Sequence, residues 1–440
     1  MVGAGNLEAN RAAGQGTSGM VGRGGRFLPD ATVAINTRHT TPYSMTLRTT
    51  PFHSRTAPLN QAQSWRRWAG YVVASAYELA HDREYWAIRN SAALLDISPL
   101  FKYRVTGPDA QRLLDRVVTR NVAKCAVAGV IYTPWCDDQG KVIDDGTIHR
   151  LDENIFRVTS AEPNFHWLHL NARGMDVVVT EESEAVAALA LQGPSARDIL
   201  NSACQEDLSD LAFFRLAPAT IDGVSITVSR TGYTGDLGYE LWIPADGAKR
   251  VWDALLREGR MHGVTPAGLL ALDMARIEAG LVLIDVDYVP ARHAVIDARK
   301  SSPFELDLGW TVKLDKEFFV GQGALAAEAR QGPAWTLRGL EIQWESLEEV
   351  YAEFRLPPQI PTTAWRTSVP VYTMGGQVGY ATSGCWSPLL KKYIILAHLE
   401  APFAKLGTEL MVEVTAEHRR RRARARVVET PFFNPERKRS

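Results

Sequence analysis

The 440-residue chain predicts an α+β fold with a separate small β domain near its C-terminal end, and three observations carry that expectation. Strand and helix patterns alternate from about residue 79 to 330. Beyond Gly332-Pro333 only short strand patterns separated by Gly and Pro turns follow. The apolar fraction of 45% and charged fraction of 22% are those of a globular protein long enough for two to four domains.

Residues 1–45 read as a flexible Gly-rich tail, and ordered structure is expected from about residue 46. An aromatic stretch over 65–77 leads into a helix expected over 79–94. A strand at 101–105, a helix at 108–120 opened by Pro108 and a strand at 131–135 follow. Strands are expected at 155–159 and 177–180. The apolar run from Ala187 reads as a buried strand followed by a helix whose first turn carries Pro194. Strands at 224–229 and 239–243 flank a loop rich in glycine, and helices are expected at 247–258 and 266–280. The β domain spans about 335–430, with strands at 336–344, 369–373, 377–382, 393–399, 409–415 and 423–428, and residues 431–440 form a basic tail.

A net charge of −1 gives no overall pull toward nucleic acid or a membrane. The run Arg419–Arg422 with Arg424 and Arg426 is one local exception. Its period-two alternation puts a basic face on a strand, read first as a charged edge strand and second as a site for a polyanionic tail. No segment reaches the roughly 20 apolar residues a membrane span requires. The four cysteines form no C-x-x-C pair, and no H-E-x-x-H occurs, so no metal site is expected and a cytoplasmic setting is. No G-x-S-x-G elbow supports a serine hydrolase.

Three places carry candidate chemistry. Residues 229–240, SRTGYTGDLGYE, hold Gly232, Gly235 and Gly238 with Tyr233, Tyr239 and Glu240: bendable backbone, flat faces and a bidentate acceptor. Asp144 and Asp145 are adjacent carboxylates on a strand, so their side chains leave opposite faces. Gly321 to Ala326 fits a G-x-G-x-x-A dinucleotide pattern but opens a short helix beside a domain boundary instead of a βαβ unit.

The order ALLDIS (93–98), VTGPDA (105–110), Tyr132-Thr133, GKVIDD (140–145), LQGP (191–194), RTGYTG (230–235), GYE (238–240) and RIEAG (276–280) resembles the glycine-cleavage T-protein (aminomethyltransferase) family. The likeness covers about residues 65–330, and 384–388, 407–408 and 431–432 resemble that family's C-terminal β domain. Thr50 to Arg55 is similar to dimethylsulfoniopropionate demethylases. The resemblance implies a three-domain cloverleaf, with a C-terminal small β-barrel or jelly-roll-like domain, around a central cavity for tetrahydrofolate. A one-carbon unit would pass from a small-molecule donor to N5 of the folate. Carried over by position, Glu240 would bind the pterin N–H edge, Tyr132 and Tyr233 would line the cavity, Asp144 would be the catalytic acid, and Asp145 would be structural.

The chain differs from the family at Ala161, where Asn is usual, and at Leu272, where Arg is usual. Those differences point to a donor other than the lipoyl-carried intermediate of glycine cleavage: an N-, S- or O-methyl or methylenedioxy compound. Trp65, Trp68, Tyr71, Tyr77 and Trp86 are candidates to hold a cationic or aromatic donor, set against a plain core role. Aminomethyl transfer in glycine cleavage is one alternative; a non-catalytic folate-binding protein is the other. The latter is disfavoured because Lys316 to Gln322 lacks the cysteine of that branch.

Overall fold

A computed structural model describes residues 47–440, which form one compact unit. The expected Gly-rich tail lies outside the described residues.

Alternation of apolar and polar positions builds two main sheets. The first has six strands, ordered Leu216–Ile221, Val224–Ser229, Gly238–Pro244, Val186–Gln192, Ala92–Asp96 and Val264–Pro266. Helices Ala196–Ala203 and Ala248–Gly259 cover one face, where Leu189, Leu191, Leu241, Ile243 and Trp252 are buried. Each such side chain removed from water contributes about 1.5–3 kcal/mol. The second sheet has five strands, ordered Val130–Cys136, Val142–Asp152, Ile155–Ser160, Phe101–Thr106 and Val178–Glu181. Its core face packs Leu113, Leu114 and Val117 of helix Ala110–Val117. A hairpin, Ser64–Trp68 with Tyr71–Ala76, joins Arg48–Thr49 in a three-stranded sheet.

The C-terminal strands close into a six-stranded barrel. Trp335–Ile342 pairs with both Lys392–Glu400 and Arg419–Val428, so the ring has no free edge. The arginine stripe is therefore not an edge strand. Its exposed face is balanced instead by Arg421–Glu353, Arg424–Glu349 and Arg426–Glu409 pairs, with Arg422 lying over the Tyr372 ring.

Several boundaries differ from expectation for a physical reason. The helix expected over 79–94 is Asp82–Asn90, and Ala92–Asp96 is a central strand. Ala-Ala-Leu-Leu is apolar on both faces and carries no period of its own, so burial between two strands decides it. Helix Trp344–Ala352, falling where only strands were expected, lies against Arg419–Val428 and buries Leu347, Val350 and Tyr351 with the barrel core. Gly321 caps helix Gln322–Gln331 with φ 85°, and a Cβ there would meet the Asp137 carbonyl at 2.6 Å. No strand precedes it, so the dinucleotide pattern lacks its structural context.

The segment 431–440, expected as a basic tail, folds back onto the glycine-rich loop. Arg437 clasps Asp236 at 2.6 and 2.8 Å, and Phe433 lies under the Arg89 guanidinium. Among the described residues no helix is long and apolar enough to cross a membrane.

Candidate functional site

Strand register separates the two aspartates. Asp145 stands opposite Pro134 and Thr147 opposite Tyr132, so Tyr132, Asp145, Thr147 and His149 share the face away from the helices. Asp144 stands opposite Trp135 on the other face.

Asp144 is wholly tied to its surroundings. Its Oδ1 accepts from the Asp145 N–H at 2.8 Å, and Oδ2 accepts from the Glu162 N–H at 3.0 Å and from Asn164 Nδ2 at 2.7 Å. Asn164 in turn accepts from the Trp135 indole at 3.1 Å. Burial, then the charge of Asp145, raises the Asp144 pKa well above the ordinary carboxylate range.

Asp145 meets different partners. Tyr132 donates its hydroxyl at 2.8 Å to one oxygen, and the Tyr288 hydroxyl donates to the other. Burial raises the Asp145 pKa while the two phenols lower it. Both phenols are held well above their ordinary value, by burial first and then by the carboxylate. The two carboxylates thus differ in partners: Asp145 meets phenol hydroxyls, which can both donate and accept, whereas Asp144 meets only N–H donors. Register alone could not say which face each would take.

Tyr233 joins the Asp145 group electrostatically. Its pKa is raised by burial, lowered by Arg276, and raised by Asp145, Asp287 and Asp273, and its hydroxyl donates to the Val282 carbonyl. Trp310, 55% exposed, stacks on Tyr132 at 6.2 Å between centroids and carries the Arg120 guanidinium on its ring, so the group reaches the surface at Trp310.

Glu240 belongs to the opposing sheet. One carboxylate oxygen accepts from Thr231 Oγ1 at 2.6 Å, and the other accepts no hydrogen bond among the described residues. Burial raises its pKa, and the Thr231 bond opposes the rise. The Thr231 hydroxyl contacts that of Ser229 at 2.8 Å, which accepts from the Trp242 indole at 3.0 Å. Trp242 meets the His149 ring edge-on at 4.9 Å, and His149 Nε2 is 3.0 Å from Thr147 Oγ1. Glu240 and the strand that carries Asp145 are thus joined by two hydrogen-bonded groups that meet at the Trp242–His149 ring contact.

The glycines serve the loop more than a ligand. Only Gly235 takes positive φ, at 75°, while a Cβ on Gly232 or Gly238 would strike the Gln192 side chain at 2.0 or 2.3 Å. Gln192 binds the loop through the Thr231 and Tyr239 carbonyls and the Thr234 hydroxyl. Tyr239 alternates with Glu240 and is fully buried on the helix-covered face, so it offers no flat face to a ligand.

The aromatic stretch forms no cage. Tyr71 lies beneath Arg48, Trp65 packs on His53, Trp86 on Tyr85, and Tyr77 is core. The aromatics that do gather at the site are Tyr132, Tyr233, Tyr288 and Trp310. Tyr288 and Trp310 escaped sequence reasoning because each lies in an irregular segment without periodicity. Among the described residues no group of His, Cys, Asp and Glu could hold a metal ion.

Residues 51–316 match the family model described as the GCVT N-terminal domain, and residues 353–434 match the glycine cleavage T-protein C-terminal barrel domain. An aminomethyltransferase from Desulforamulus reducens is 33% identical across 83% of this chain and 93% of its own. A trimethylamine-oxide aldolase from Ruegeria pomeroyi is 33% identical across 89% of this chain and 47% of its own. The crystal structure of glycine cleavage system aminomethyltransferase T from Bartonella henselae matches with a TM-score of 0.75 at 24% identity, covering 88% of this chain and 99% of that one.

Proposed function

The chain belongs to the glycine-cleavage T-protein family, whose enzymes use tetrahydrofolate, and from that premise we propose that it moves a methyl or methylene group from a small N-, S- or O-linked donor to N5 of tetrahydrofolate. The observation that carries this reading is Asp145, a buried carboxylate whose two oxygens are each met by a tyrosine hydroxyl. N5 must lose a proton as it is alkylated, and an amine donor must gain one as it leaves. A carboxyl of raised pKa held by phenols is suited to carry that proton. Catalysis is thus proposed for Asp145 in place of Asp144.

Glu240, with one oxygen unused, would accept the adjacent N–H donors of the pterin in charge-assisted bonds about twice the strength of neutral ones. Tyr132 and Tyr233 would flank the ring system. Holding N5 along the breaking bond can supply on the order of 7–11 kcal/mol of the barrier. Four cysteines without disulfides fit a cytoplasmic setting.

We put N-methylated amines and their oxides first among donors, an order supported by the relative named trimethylamine-oxide aldolase. The reading is tested by incubating the protein with tetrahydrofolate and N-, S- and O-methyl or methylenedioxy donors, then measuring 5-methyl- and 5,10-methylene-tetrahydrofolate. Product from one donor class identifies it; no product from any donor removes the reading. Aminomethyl transfer in glycine cleavage, favoured by relatives named aminomethyltransferase, is the second reading, and a lipoyl-protein aminomethyl donor in the same panel decides it.

A further inference from the structure

We propose that Arg66 and Arg366 form a binding subsite for a carboxylate-bearing part of the ligand, set beside the tyrosine-lined site. Arg66 comes from the N-terminal hairpin, where it stands opposite Val73, and Arg366 comes from the segment that enters the barrel. Both converge on one carboxylate, Asp273 of helix Leu269–Glu278. Arg366 Nε lies 2.6 Å from Oδ2, Arg66 Nη1 is 3.8 Å from the same oxygen, and Arg276 Nε is 3.2 Å from Oδ1. Arg276 also pairs with Asp287. Three guanidiniums against two carboxylates leave one positive charge unbalanced.

That excess has a definite place. The Arg66 side chain makes no hydrogen bond among the described residues, and its buried Nη1 has only the 3.8 Å ion pair with Asp273. A buried N–H of this sort costs free energy until an acceptor reaches it. The side chains of Arg66 and Arg366 are 32% and 35% exposed, whereas that of Asp273 is 2% exposed, so part of each arginine faces solvent, although Arg66 Nη1 itself is buried, and the carboxylate between them is covered. Burial, together with the like charge of Arg366, lowers the Arg66 pKa. A second anion would relieve that repulsion and engage the spare donors, and two planar guanidiniums suit the two oxygens of a carboxylate. The subsite is within electrostatic reach of Tyr233 through Asp273 and Arg276.

The carboxylate belongs either to the glutamyl end of the folate, which rests on the function proposed above, or to the one-carbon donor. Glutarate alone is the first probe, because it needs no pterin. Wild-type protein should bind it by calorimetry, R66Q should bind it roughly ten- to hundredfold more weakly, and R66K should recover part of the loss. The Arg66 side chain holds no hydrogen bond and only a 3.8 Å ion pair with Asp273, so R66Q is expected to fold with a Tm close to wild type, checked without ligand. Comparing tetrahydrofolate with tetrahydropteroate, which lacks the glutamyl group, and sarcosine with dimethylamine then assigns the source. A loss in R66Q confined to tetrahydrofolate identifies the folate tail, and a raised KM confined to sarcosine identifies the donor. Wild-type protein that ignores glutarate, or R66Q that binds it as tightly as wild type, overturns the subsite. Failure of tetrahydrofolate to bind wild-type protein would remove the function reading, while the glutarate comparison would still decide the subsite.

Discussion

On one side of strand Val142–Asp152, Asp144 is held by two backbone N–H groups and the Asn164 amide. On the other, its neighbour Asp145 is held only by two phenol hydroxyls. Both are buried, and both have raised pKa values. What separates them is partner chemistry. Backbone amides and Asn164 can only donate to a carboxylate in this arrangement, so Asp144 is a fixed joint. A tyrosine hydroxyl can also accept, so the Asp145 side can rearrange as a proton arrives or leaves.

The strongest attempt to break this contrast is Asp145→Asn. We expect turnover to fall by about 10²–10⁴-fold with little change in tetrahydrofolate affinity, read by single-turnover kinetics beside calorimetry. Full activity in this variant would return the catalytic role to Asp144. Next, Glu240→Ala should weaken tetrahydrofolate by about ten- to hundredfold while leaving Tm nearly unchanged. Unaltered affinity would remove the pterin assignment. Asp144→Asn tests the joint itself: turning an amide N–H toward three donors should cost about 1–3 kcal/mol of stability, seen in denaturant midpoints, with kcat changing less than in Asp145→Asn.

The smallest expected effect is on acid stability. Burial, then the charge of Arg157, pushes the His149 pKa down to about 3, from an ordinary 6.5. Between those pH values the unfolded chain binds a proton that the folded chain refuses, so stability falls as pH drops through the window. The slope is at most about 1.4 kcal/mol per pH unit. Asp144 and Asp145 act with the opposite sign: their raised values favour the folded state at low pH, and that contribution is lost as pH rises. His149→Phe should flatten the acid limb of a Tm-against-pH curve, and an unchanged limb would place the sensitivity elsewhere.

Much of the fold was legible because periodicity is local. The barrel strands, Val186–Gln192 and Val224–Ser229 announce themselves by apolar pattern and turn residues. Ala92–Asp96 did not, since a strand buried on both faces has no alternation to read. In the site, Tyr132, Tyr233 and Glu240 could be nominated because they sit in recognisable motifs. The Asp144 and Asp145 pair was visible, yet the partners of each were not, because Asn164 and Tyr288 are 20 and 143 residues away. Arg66 and Arg366 were silent for the same reason: each looks like an ordinary surface arginine until the hairpin and the barrel meet at Asp273.

The return of residues 431–440 onto the glycine-rich loop has a consequence for how that loop moves. Arg437 and Asp236 are 201 residues apart, and Asp236 also fixes the Leu237 N–H at 2.8 Å. Peeling the last segment away would leave the fully buried Asp236 carboxylate with only Arg89, 3.5 Å away, as its cation, so opening of the segment is coupled to the loop. A protease cutting within 431–440 thus acts as a gauge of the loop: when reclosing outruns cleavage, its rate reports the free energy of opening. A ligand held by Glu240 and Tyr233 would register as protection of a peptide bond it never touches.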